Sequence, residues 1–117
     1  MFPLTAVELQ EQFDIQRSLK VGLLPEAYFT DDPIEYLKSY VGTYLREEVH
    51  KEALVKNLRL FSKFLEAAAF SQASILSYDT IARDVGVDPK SIRNYFEILE
   101  DLLIGYRLPV FQKKAKR

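Results

Sequence analysis

Glu47 and His50 stand three residues apart in Arg46-Glu-Glu-Val-His-Lys51. That spacing sets a carboxylate and an imidazole on one helical face, as a di-iron bundle requires. Such a centre also needs a second Glu-x-x-His pair and two further Glu, and the chain has a single His, so the di-iron reading fails. His50 then reads as a surface or helix-junction residue. Glu48 and Glu52, four apart, can share a cation or pair with Arg46, Lys51 or Lys56, and the solvated, self-paired face is the expectation. The absence of Cys excludes disulfides and thiolate metal sites. No Ser stands in a G-x-S-x-G elbow, and Gly22, Gly42, Gly86 and Gly105 are scattered, none within a G-x-x-x-x-G-K-[ST] loop. The sequence therefore assigns no catalytic residue, no metal ligand and no cofactor held by this chain alone.

The residues that can carry a binding function lie later. Lys90, Ser91, Arg93 and Asn94 fall early in a helical stretch, and Lys113, Lys114, Lys116 and Arg117 crowd the last five positions. The first group can contact phosphates or base edges from the N-terminal half of a recognition helix. Glu97, Glu100 and Asp101 follow on the same stretch and repel phosphate. The terminal basic run reads either as a phosphate contact or as a solvated tail. Residues 1–70 hold eight basic and eleven acidic side chains, and residues 71–117 hold eight and six. There is no broad electrostatic footprint for nucleic acid.

What positions these residues is a series of capped helices. Thr5-Ala-Val-Glu8 has capping-box spacing and predicts a short helix to about Gln12. Asp14 predicts a second, through Ile15, Leu19 and Val21, stopped by Gly22 and followed by an apolar turn at Leu23, Leu24 and Pro25. Asp31-Asp32-Pro33 opens a third, with Ile34, Leu37, Val41, Tyr44, Leu45 and Val49 as its inward stripe. Leu54, Leu58, Phe61, Leu65 and Ala68 continue the pattern, either as one long helix or with a bend near Glu48–Lys51. Tyr36, Tyr40 and Tyr44 flank the third helix, and Phe61 and Phe64 the next; an aromatic surface of this kind, if left open, favours self-association.

After a loop at Ser71–Ser74, Ile75-Leu76 predicts a very short strand and Ser77 caps a helix to about Asp84. Gly86 turns the chain, Asp88-Pro89 opens a last helix carrying Ile92, Tyr95, Phe96, Leu99, Leu102 and Leu103 inward to about Gly105, and Tyr106–Phe111 predicts an edge strand. Ile81, Ala82, Val85, Gly86, Val87, Ile92 and Tyr95 fall where a helix-turn-helix needs apolar side chains, a small crossing residue and a corner tolerant of positive φ. Flanking strands would make the unit a winged helix with its wing cut short. The fold class is thus mainly α, in three stretches: a helical segment over 1–30, a helical hairpin or bent helix over 31–70, and a winged-helix-like module over 71–117.

The chain has 117 residues, 48% apolar and 28% charged, with net charge −1. That suits a folded domain able to bury a core. No apolar run approaches the roughly 18 residues of a membrane span, so a cytoplasmic setting without membrane contact is the expectation.

Pro3-LTAVE-Leu9, the Gly22-Leu-Leu-Pro25 turn, YVGTYLREEVHKEALVKNLRLFSKFLEAAA (Tyr40–Ala69), IARDVGVDPKSIRNYFEILEDLLIG (Ile81–Gly105) and the closing LPVFQKKAKR together resemble bacterial and archaeal AAA+-type P-loop ATPases that carry a C-terminal domain of unknown function. The resemblance implies that the Walker motifs, with ATP and Mg²⁺, belong to an upstream domain of a parent protein and that a strand-rich region follows. It also implies that Gly22 and Pro25 form a lid turn sensing the nucleotide. Leu23 stands where that family often has a second Gly, and Lys56 where an Arg is common. The expected role is a non-catalytic one, coupling nucleotide state to domain arrangement, with the upstream P-loop domain as partner; the alternative is a DNA-binding adaptor acting through the helix-turn-helix.

Overall fold

In a computed structural model, which describes residues 2–51 and 55–110, several helices begin where a side chain caps them. Thr5 and Glu8 form the reciprocal capping box of α1 (Ala6–Leu9): the Glu8 N–H donates to Thr5 Oγ1 at 3.3 Å, and the Thr5 N–H donates to Glu8 Oε2 at 2.8 Å. Those bonds hold the Glu8 carboxyl below its ordinary range. A 3₁₀ turn, Gln10–Gln12, follows. Asp14 caps α2 (Ile15–Val21), accepting from the Gln16 N–H at 2.8 Å and the Arg17 N–H at 3.2 Å.

Pro25 opens a helix that the sequence reading leaves as a turn. α3 (Pro25–Phe29) has Pro25 in its first turn, where the missing N–H leaves no intrahelical bond unmade and the fixed φ is already helical. Asp32 then accepts from the Glu35 N–H at 3.1 Å to start α4 (Pro33–Ser39). The helical path continues through a π segment, Tyr40–Leu45, into α5 (Arg46–Lys51). The wider π turn breaks the expected 3.6-residue stripe. Leu45 and Val49 are buried, whereas Ile34 and Val41 are 59% and 45% exposed. Residues 55–57 lie outside any helix, so 33–70 is not one helix, and α5 continues to Lys51. Glu52 and Leu54 lie outside the described residues.

α6 (Leu58–Phe70) turns Phe61 and Phe64 fully inward, while Leu58, Leu65 and Ala68 are half-buried, so the core face is centred on the two rings. Ser77 caps α7 (Tyr78–Val85) by accepting from the Thr80 N–H. Gly86, at φ 85° and ψ 38°, takes the left-handed conformation that closes it. α8 (Pro89–Asp101) ends earlier than expected, because Leu103 adopts φ 59° and the Ile104 N–H turns back to the Leu99 carbonyl at 2.9 Å. Leu103 is accordingly exposed, and Ile98 joins Ile92 and Leu99 in the core.

Among the described residues the chain is mainly helical and has no strand. Ile75 is 98% exposed, and neither 75–76 nor 106–110 finds a neighbouring strand with which to form a ladder. The chain gathers into two units, Met1–Leu58 and Arg59–Arg117. The first has a small core of Leu9, Val21 and Tyr28 with Leu4, Phe13 and Leu23 packed against it. The second stacks Phe64 against Phe61, Tyr95 and Phe96 at ring separations of 5.7, 5.2 and 4.9 Å.

Candidate functional site

Gly22 ends α2 at φ 77°, with its N–H on the Ser18 carbonyl at 3.0 Å. A Cβ there would meet nothing within 4 Å, so the backbone angle, not close approach, requires glycine. The following Leu23 carbonyl accepts from the Leu4 N–H at 2.7 Å, which ties the Gly22–Pro25 corner to the segment before α1.

Two residues absent from the sequence reading hold this corner. Tyr28, 3% exposed, accepts from the Asp14 N–H at 2.8 Å and donates its hydroxyl to the Gln12 carbonyl at 2.9 Å. Arg17 donates from Nε to the Tyr28 carbonyl at 2.6 Å and from Nη2 to the Thr30 carbonyl at 2.9 Å, with its guanidinium 5.7 Å from the Tyr28 ring centre. These bonds span eleven to sixteen residues, beyond the reach of any local spacing rule. Beside them opens a groove of about 650 Å³ between α2 and the start of α4, with Leu19 and Ile34 exposed, Lys20 along α2, and Asp31 and Asp32 opposite.

In the second unit, α7 and α8 pack together across the three-residue turn Gly86–Asp88, with Ile81, Ala82, Val85 and Ile92 buried. Lys90, Arg93 and Asn94 stand exposed on the first turns of α8. Ser91 does not join them as a free donor: its Oγ donates to Asp88 Oδ2 at 2.7 Å and its N–H to Asp88 Oδ1 at 2.9 Å. The same bonds keep the Asp88 carboxyl below its ordinary range, so a negative charge sits at the end of α8 that a phosphate would approach. Arg93 lies 5.6 Å over the Tyr78 ring. Lys113 and Lys114 lie outside the described residues.

Residues 12–117 match the model of a family described as a domain of unknown function, DUF8612. The chain belongs to the DUF8612 family. No curated protein and no solved structure matches it. The matched span of the DUF8612 chain begins at Gln12, the acceptor of the Tyr28 hydroxyl, and takes in both Gly22 with Pro25 and the α7–α8 pair.

His50 and Glu47 are both exposed on α5, and no group of His, Cys, Asp and Glu able to hold a metal ion occurs among the described residues. No described helix is long and apolar enough to cross a membrane. Tyr36 and Tyr40 stack at 6.3 Å and are half-buried, and Phe61 and Phe64 are buried.

At the far end of α8, Arg107 binds Glu100 through Nε at 3.1 Å and Nη2 at 2.5 Å, and reaches Tyr78 Oη through Nη1 at 2.9 Å. The Arg107 bonds hold the Glu100 carboxyl below its ordinary range. A carboxylate lowered on folding stabilises the folded chain above its unfolded pKa, and that contribution is lost as pH falls through the lowered value. The Arg107 Nε–H is therefore expected to exchange more slowly than a free guanidinium at neutral pH, and to lose that protection only as pH falls below the ordinary glutamate range. Glu100→Gln should show fast exchange already at pH 7.

Proposed function

We propose that this chain is a non-catalytic module of a P-loop ATPase, which couples the nucleotide state of an upstream domain to domain arrangement through the corner of α2, Gly22, Pro25 and α3. The observation that carries this reading is the groove beside that corner. Arg17 and Tyr28 lock the backbone on its inner side, while Leu19 and Ile34 are left 78% and 59% exposed on a rigid lip. A firm corner with an apolar lip suits docking against another folded domain more than turnover of a substrate. ATP and Mg²⁺ would be held by the upstream domain, where phosphate positioning requires a P-loop and an acidic metal ligand.

Two experiments test it. The codons upstream of Met1 should encode a Walker A motif, and a gene without one overturns the reading. The recombinant upstream domain should bind this chain with an affinity that depends on ATP, and Leu19→Asp with Ile34→Asp should weaken that binding about tenfold or more.

A second reading, a DNA-binding adaptor of winged-helix type, is favoured by the joint exposure of Lys90, Arg93 and Asn94 on α8. Against it stand the Asp88 carboxylate at the helix start and Glu97 and Asp101 beyond. Fluorescence anisotropy of a mixed-sequence duplex at about 50 and 200 mM salt separates the two. The coupling module should show no binding at tens of micromolar, a range in which non-specific DNA affinity is seen. Binding that collapses with salt, and with Lys90→Ala plus Arg93→Ala, would establish the adaptor instead.

A further inference from the structure

Gln10 stands in a backbone conformation that a residue with a side chain seldom takes. Its φ of 48° with ψ of −120° lies outside the small left-handed region open to such residues, in the part of a tight turn that favours glycine. Strain of this kind weights an equilibrium by about five- to a hundredfold, and it persists only where surrounding contacts impose it. Here they come from the docking of residues 2–9 on the rest of the first unit. Leu9 is buried with Val21 and Tyr28, Leu4 packs against the same cluster, and the Leu4 N–H donates to the Leu23 carbonyl at 2.7 Å. Past the turn the chain is pinned separately: the Tyr28 hydroxyl donates to the Gln12 carbonyl and accepts from the Asp14 N–H. Gln10 therefore joins an arm to a fixed body. The arm carries its own cap, Thr5 with Glu8. The Gln10 N–H donates to the Ala6 carbonyl, within the arm, while the Gln10 carbonyl accepts from the Phe13 N–H at 3.2 Å, within the body. Rotation about φ and ψ of Gln10 breaks neither bond, because the N–H lies before both axes and the carbonyl after them.

We infer that residues 2–9 exchange between two copies of the chain, each arm docking on Val21, Leu23 and Tyr28 of the other. The exchange keeps the contacts of the docked arm, since the vacated site is filled by the same segment that already fits it. It also lets Gln10 relax into ordinary backbone angles in both chains. Short hinges under strain favour such a two-fold swap over closure on the same body. The magnitudes make it accessible at ordinary concentrations. A swapped pair with no new interface dissociates near the effective concentration of the tethered arm, about millimolar. Relief of about tenfold at each of the two hinges brings that to about 10 µM.

Sedimentation velocity on the full chain, from about 5 to 200 µM, should show a reversible dimer. Gln10→Gly takes the angles of the turn without strain and should weaken that dimer about tenfold or more. Gln10→Val, β-branched and averse to positive φ, should strengthen it. Position 10 is exposed, so both variants should keep the far-ultraviolet circular dichroism of the parent chain. Isotope-filtered NMR on a mixture of labelled and unlabelled chains identifies the exchange, because Leu9 of one copy should then contact Val21 of the other. A monomer at every concentration, a dimer indifferent to Gln10→Gly, or a dimer whose Leu9–Val21 contacts stay within one chain would overturn the proposal.

Discussion

Phe64→Ala is expected to destabilise the second unit by about 3–5 kcal/mol, the usual loss when a fully buried ring is deleted and the surroundings only partly collapse. Phe64 is 0% exposed and touches the rings of Phe61, Tyr95 and Phe96, so its removal opens a cavity where α6 meets α8 and leaves three aromatic neighbours short of contacts. The Tyr95 hydroxyl, whose pKa is already raised by burial, would gain water access and move back toward its ordinary value. Phe70→Ala on the same helix is the control: that ring is 91% exposed, and its loss should change stability by no more than about 0.5 kcal/mol. Urea unfolding distinguishes the two through the midpoint, with the slope unchanged. Against a typical total of about 5–15 kcal/mol, the Phe64 variant should sit close to unfolding at room temperature.

Tyr28→Phe should reduce stability by about 1–3 kcal/mol although it removes one oxygen atom. The ring keeps its packing against Leu9 and Val21, but the Asp14 N–H and the Gln12 carbonyl each lose their only partner among the described residues. Both bonds are part-buried against the Tyr28 ring, which makes the orphaned groups costly. The Arg17 bonds, which go to the backbone carbonyls of Tyr28 and Thr30, should persist. Amide exchange at Asp14 is the direct readout. A variant with unchanged melting and unchanged Asp14 exchange would show that water replaces the hydroxyl without loss.

Tyr28 marks the boundary of what local spacing reveals. The caps at Thr5, Asp14, Asp32, Ser77 and Asp88, and the left-handed corner at Gly86, are legible because donor and acceptor lie two to four residues apart. Tyr28 and Arg107 are not, since their partners stand seven to twenty-nine residues away and nothing in the intervening sequence encodes the distance. Pro25 reads as part of a turn, but the following Glu26-Ala27-Tyr28-Phe29 makes it a first helical residue by folding Ala27 and Tyr28 into the core. Of the candidate DNA contacts, Lys90, Arg93 and Asn94 are exposed as their spacing suggests. Ser91 is instead engaged with Asp88, a Ser three residues after an Asp cap being placed to bond it. Periodicity also could not place Phe61 and Phe64 at the centre of their face, because which of two adjacent stripes is buried depends on the rings supplied by α8.

The π segment at Tyr40–Leu45 carries a consequence for the chain's tolerance of insertion and deletion. A π turn holds about one residue more than an α turn, and π bulges behave as single-residue insertions absorbed without breaking the helix. Losing one residue between Tyr40 and Leu45 would let 33–51 wind as ordinary α-helix, a local gain in hydrogen-bond geometry. It would leave Leu45 and Val49, 3% and 0% exposed, on nearly the face they now occupy relative to Pro33–Ser39, because the wide turn had absorbed the extra residue. In ordinary α-helix the same loss rotates every later residue by about 100°. The path from Pro33 to Lys51 can therefore shed one residue here without changing which face is buried, and nowhere else along its length.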